Sequence, residues 1–351
     1  MRSSAISIAS LVEGTEITED TEARHGEKRR RFALGVVVCL SLSLWFSSVF
    51  SAISVSSMSA IQRPNRSGAS IEGMWNSATA TPLERPRDLA NKPFFTPEEA
   101  AAWERQAAKN NEEPPADAPR RGTGTYNTFF REYGTRIVAT RRTSLITEPA
   151  DGRIPALTPA AAEAKRRRIQ WQNKAQDPED MGLQDRCLAF ATAGPPMLPY
   201  SYNSNYQIVQ TKDAVVIHVE MIHDARIIHL DGRPHRPPAL RRWMGDSVGR
   251  WEGATLVVDT TNFNDAGGLY GEAGGNFGWD NELHVIERFT LLDSNTLSYQ
   301  FEIDDRTAFV QPWKGEVTMS RASGRIFEYA CHEANYSLPS MLKANQTVPR
   351  D

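Results

Sequence analysis

The 351-residue chain has little cysteine, little net charge and few long stretches free of helix breakers. Three cysteines are too few for a disulfide-dense small protein or a four-cysteine zinc site, although they permit one bridge with one thiol left over. With 40 basic against 43 acidic side chains the formal charge is −3, so no electrostatic drive toward nucleic acid is expected. The 21 prolines and 23 glycines punctuate the chain too often for a helical bundle or coiled coil. Gly122-Thr-Gly124 lacks the third glycine and the flanking strand of a dinucleotide fingerprint, and there is no HExxH motif. Neither a nucleotide cofactor nor a helix-borne zinc is expected.

What the chain does have, near its start, is a hydrophobic run. Lys28-Arg29-Arg30-Arg31 precedes residues 32–55, which carry no charge. A helix needs about 20 apolar residues to cross a bilayer, whereas the apolar part of a signal peptide takes about 7 to 15, so this segment lies nearer a transmembrane anchor. Ser57, Ser59 and Ala60 keep a cleavage site open, and Arg29-Arg30-Arg31-Phe32 loosely resembles a twin-arginine export signal. Residues 1–31 balance six basic against six acidic charges and read as a disordered tail, cytoplasmic under the positive-inside rule. The main domain is therefore expected outside the cytoplasm, either anchored in the membrane through residues 32–55 or secreted or periplasmic after cleavage.

Residues 61–200 read as an irregular, partly helical region wrapping a C-terminal β domain. Thr96-Pro97-Glu98-Glu99 combines an N-cap, a proline at the first helical position and a capping-box carboxylate, and Thr158-Pro159 repeats the signal. Between them, residues 112–125 read as a linker, and Arg141 to Ile154 as an extended pair around Pro149-Ala-Asp-Gly152. Lys165-Arg166-Arg167-Arg168 has no interleaved stacking aromatics and reads as a solvated helix face, not a nucleic-acid contact.

From residue 201 to 338 the period becomes two. Val215, Ile217, Val219 and Met221 alternate with polar or outward positions, as do Leu283 to Leu291, Leu297 to Ile303, Trp313 to Met319, and Phe327 to Cys331. Asp231-Gly232, Glu252-Gly253, Asp293-Ser-Asn295 and Ser323-Gly324 supply turns able to join neighbouring strands as hairpins. The fold class is mainly β: an antiparallel calycin- or lipocalin-like barrel of about eight to ten strands, with a β-sandwich as the alternative. Gly73-Met-Trp75 resembles the glycine and tryptophan that open lipocalin barrels. Residues 339–351 form a C-terminal tail.

Parity then selects polar residues on the apolar side. With no bulge in the first strand, His223 shares the face of Val215 to Met221; Glu287 lies between Val285 and Phe289, Tyr299 between Leu297 and Phe301, and Glu333 comes after Tyr329 and Cys331. Burial brings imidazole and carboxylic acid toward useful proton affinities, which makes His223 the candidate base and Glu287 or Tyr299 the proton donor. The structural alternative pairs Glu287 with an arginine such as Arg226 or Arg321. The charged loop from His223 through Asp224, Arg226 and Arg233 to His235 suits an anionic or polyhydroxylated ligand, with Arg226 or Arg233 as the carboxylate fork. His284, His332 and Glu333 complete the candidate substrate-binding set. Six of the seven histidines fall in this region; their spacing does not support a metal site, so no cofactor is expected. A zinc or copper site assembled from separate strands stays open, because strand ligands leave little sequence signature. Residues 264 to 281 contain six glycines and suit a mobile lid. Cys187 and Cys331 are expected to pair in an oxidising compartment, since Cys39 lies in the hydrophobic segment.

The runs Thr81-Pro-Leu-Glu-Arg-Pro86, Arg141-Arg-Thr-Ser-Leu-Ile146, Asp151-Gly-Arg-Ile-Pro155, Ala193-Gly-Pro-Pro-Met-Leu-Pro199, His223-Asp-Ala-Arg226, Trp243-Met-Gly-Asp-Ser247, Arg250-Trp-Glu-Gly253 and Tyr329-Ala-Cys-His-Glu333 look like those of an uncharacterised exported bacterial family, over about residues 70 to 338. The resemblance implies export and brings no reaction, cofactor or catalytic residue. The glycine-rich stretch after Asn264 is longer here than in that family. The functional expectation is an enzyme acting on a small organic molecule in a barrel cavity by non-redox acid and base chemistry, as a lyase, isomerase or cyclase. The competing class is a non-catalytic small-molecule binding or carrier protein of the cell envelope. A third, a structural partner in an envelope complex, expects a filled core with no pocket.

Overall fold

The computed structural model describes residues 70–112, 132–173, 175–264, 281–333 and 335–346. The tail 1–31, the hydrophobic segment 32–55, most of the proposed linker and the glycine-rich stretch 265–280 lie outside the described residues. Among the described residues no helix is long and apolar enough to cross a membrane.

Strands form where apolar residues alternate, because successive side chains leave a strand on opposite faces and only one face is buried. In chain order they are β1 (Gly73–Asn76), β2 (Ile146–Glu148), β3 (Asn205–Gln210), β4 (Ala214–Val219), β5 (Ala225–His229), β6 (Asp246–Glu252), β7 (Thr255–Thr261), β8 (His284–Asp293), β9 (Thr296–Asp304) and β10 (Trp313–Arg321). Each of β3 to β10 bonds to the next, and β1 bonds to both β3 and β10. The sheet thus closes into a ring of nine strands, and β2 pairs with Lys314 and Gly315 at the start of β10, on the edge that β1 takes at its end. Closure removes the unpaired edges that an open sheet exposes. At the closing seam Trp75 is opposite Arg321, whose guanidinium lies 4.3 Å from the centroid of the Trp75 ring. Gly315 sits opposite Phe301, where any side chain would overlap the aromatic ring.

The barrel is mixed, which corrects the expectation of a purely antiparallel one. β5 and β6 run parallel, joined through Ile228–Ser247 and His229–Val248. Asp231-Gly232 therefore does not close a hairpin; it opens a connection over residues 230–245 that contains Pro234, Pro237 and Pro238. A parallel pair needs such a crossover, and prolines cannot donate to a ladder that would continue the strand. Glu252-Gly253 and Asp293-Ser-Asn295 do close hairpins, between β6 and β7 and between β8 and β9. Residues 325–330 are irregular, so the alternation of Phe327, Tyr329 and Cys331 does not mark a strand.

The core is completed by a segment that precedes β3. Ala189, Phe190, Ala191, Ala193, Met197 and Leu198 are buried in one cluster with the inward residues Ile217, Val285, Phe289, Tyr299 and Val317. Tyr206 Oη donates to the Thr192 carbonyl at 3.0 Å, and the Met197 N–H donates to Tyr299 Oη at 2.9 Å. Residues 189–198 thus act as an internal plug of the barrel.

The described residues include three α-helices: α1 (Pro97–Asn110), α2 (Pro159–Asn173) and α3 (Ser337–Gln346). The expected capping box is present on α1, with Thr96 and Glu99 each satisfying the other's backbone N–H. On α2, Arg166 and Arg167 lie exposed one turn from Glu163, which they pair with. Arg141 to Ile154 contains one short strand and a turn rather than an extended pair. Cys187 and Cys331 form the expected disulfide, their Cα atoms 5.8 Å apart.

Candidate functional site

The alternation of β8 and β9 turns Glu287 and Tyr299 inward, and both are 0% exposed. Arg226 reaches them from β5, opposite the inward-facing Ile217. Its two terminal nitrogens donate to the two Glu287 oxygens at 2.8 and 3.0 Å, and Tyr299 Oη donates to Oε1 at 2.8 Å. A bidentate guanidinium facing so deep a carboxyl group offsets much of the cost of burying it. Burial, reinforced by the negative charge of Glu287, pushes the Tyr299 hydroxyl well above the ordinary tyrosine range, so it remains a donor. Both oxygens of Glu287 are thus already engaged.

His223 does not join them. The chain turns at Met221–His223 with φ of 59° at Ile222 and 61° at His223, which ends the alternation two residues early. His223 is consequently exposed and meets His218 edge to face at 4.4 Å. Its expected inward position is corrected, and with it the pairing of a histidine base with Glu287. His332 and Glu333 are also exposed, on a turn after Cys331, so Glu333 does not continue an inward face.

Arg233, His235 and His284 gather instead on the outer face of β6 to β8. Arg233 donates to both oxygens of Asp246, at 3.1 and 2.7 Å. His235 bridges Asp246 through Nδ1 at 3.3 Å and Asp259 through Nε2 at 3.1 Å, while His284 Nε2 meets the same Asp259 oxygen at 2.9 Å. Burial alone would raise the Asp246 carboxyl, but Arg233, the Arg236 N–H and His235 together hold it well below the usual range. The bond to His284 lowers Asp259 and correspondingly raises His284. Among the described residues no group of three or more His, Cys, Asp or Glu converges to hold a metal ion.

The charged loop does shape a cavity, at the parallel seam where β5 and β6 share only two paired positions. It holds about 570 Å³, within the usual range for small-molecule sites. Arg226, Arg236, Arg241 and Arg242 line it, against the carboxylates of Asp224 and the already engaged Asp246. Trp243, Met244 and Leu188 supply apolar wall. The Arg226 Nε is buried with no hydrogen-bond partner among the described residues. Burial raises the Asp224 carboxyl above its ordinary value. Gly245 takes φ of 67° at the head of β6, packed so closely on the Thr261 carbonyl, 2.6 Å from where a Cβ would lie, that no side chain fits.

Sequence reasoning missed Asp246, Asp259, Arg241 and Arg242. The signal available was the basic run Arg241-Arg242 beside Trp243, shortly after two prolines. Gly245-Asp-Ser-Val-Gly249 also has the spacing of a nucleophile elbow. Ser247, however, lies inside β6, is 2% exposed, and shares a 2.9 Å hydrogen bond with Thr260 instead of standing on a strand-to-helix turn. The chain matches no protein-family model and no curated protein.

Proposed function

We propose that the protein is an exported binding or carrier protein of the cell envelope that takes a small organic anion, a carboxylate with an apolar body, into the seam cavity. The observation that carries this reading is the cationic lining: four arginines beside Trp243 and Met244. Glu287 holds the guanidinium plane of Arg226 through both terminal nitrogens, so this part of the wall is fixed before a ligand arrives. Export rests on the uncharged segment 32–55, as an anchor or a cleaved leader. A calycin-like ancestry for the barrel rests on Gly73 and Trp75 in its opening strand, the latter closed against Arg321.

Calorimetry with 4-phenylbutyrate and its neutral amide tests the binding reading. The carboxylate should bind at least about tenfold tighter than the amide, and Arg242→Gln, a change at an exposed position, should remove most of that difference. Equal affinity for acid and amide rejects the reading. The acid–base enzyme is the second reading, favoured by Asp224, whose half-buried carboxyl lines the same cavity. On that reading Asp224→Asn abolishes turnover while anion binding persists.

A further inference from the structure

A second cavity, of about 520 Å³, shares no lining residue with the first. It lies between residues 184–190 on one side and residues 328–331, Asn335 and Ser337 on the other, two walls tied by the Cys187–Cys331 disulfide. Asn335 Nδ2 adds a bond across them, to the Asp185 carbonyl at 2.7 Å. Phe190 and Tyr200 meet edge to face at 4.7 Å, and Tyr200 and Tyr202 at 5.2 Å, while Tyr329 comes from the second wall. Asp185 and Glu328 place one carboxylate on each side. Among the described lining residues there is no lysine, arginine or histidine, the reverse of the seam cavity. Ile222, from the turn between β4 and β5, also lines it in a left-handed conformation that β-branched residues rarely adopt.

Aromatic faces carry negative potential and attract alkylated ammonium groups, which are weakly hydrated and lose little on entering. Carboxylates add countercharge without competing cations. We propose that this cavity binds a small organic cation with an alkylated ammonium head, seated among Phe190, Tyr200, Tyr202 and Tyr329 and balanced by Asp185 and Glu328. Burial raises the Asp185 carboxyl above its ordinary value, so its countercharge, and with it the affinity, is lost as pH falls toward the raised value.

Calorimetry on the disulfide-intact protein, with choline and with 3,3-dimethylbutanol as its neutral counterpart of the same shape, tests the assignment. Choline should bind saturably and at least about tenfold tighter than the alcohol. Asp185→Asn and Glu328→Gln should each weaken choline binding about threefold or more, whereas Glu252→Gln, the same charge change on the distant hairpin of β6 and β7, should not. Glu328 is exposed, so its variant reports even where the change at Asp185 disturbs folding. Absence of saturable choline binding, equal affinity for the alcohol, or an equal loss in Glu252→Gln overturns the proposal and leaves the anion reading of the seam cavity untouched.

Discussion

Glu287 accepts two bonds from Arg226 and one from Tyr299, so its oxygens are committed before any ligand arrives. Removing it leaves a buried guanidinium unpaired. Glu287→Ala should therefore destabilise by about 3–5 kcal/mol in urea unfolding, while the double change Arg226→Met with Glu287→Leu should recover most of that loss. A Glu287→Ala variant as stable as the parent contradicts this account of the interior. His223→Ala, by contrast, should shift stability by no more than about 0.5 kcal/mol, as its side chain is exposed. The inward positions of Glu287 and Tyr299 were legible because β8 and β9 alternate without interruption across both residues. That of His223 was not, because Ile222 and His223 adopt positive φ without a glycine to announce it.

Among elements, the connection from β5 to β6 is pinned to β7 and β8 by His235, Asp259 and His284. His284 is raised above its ordinary 6.5, so its contribution to stability is complete below that value and fades as pH rises through the raised one. Asp259 is lowered below 3.8, so its share is complete above that value and fades only as pH falls through the lowered one. The stability gap between the parent and His284→Asn should be widest below pH 6.5 and should close as pH rises through the raised value in thermal unfolding. A gap independent of pH denies the ion pair any role. The parallel pairing behind this connection was not legible, since a two-residue ladder leaves no period in the sequence. The plug was equally hidden: Ala189 to Leu198 has the alanine and proline content of a loop, and its burial is decided by the tyrosines of β3 and β9.

For the molecule as a whole, one covalent link spans 144 residues between the plug region and the chain beyond β10. Cys187→Ala with Cys331→Ala should cost about 2–5 kcal/mol in chemical unfolding, because the unfolded chain regains the freedom of a long loop. Closure of the sheet has a further consequence. β1 is synthesised early and pairs with β10, whose last residue is Arg321. Ribosomal or translocon emergence of the first strands cannot complete the ring, so a half-made chain carries two raw edges and an unlatched tryptophan until the final strand arrives. Maturation is thereby deferred to the end of delivery, and a truncation that spares every arginine of the seam but stops before residue 313 should yield aggregates instead of a smaller working barrel.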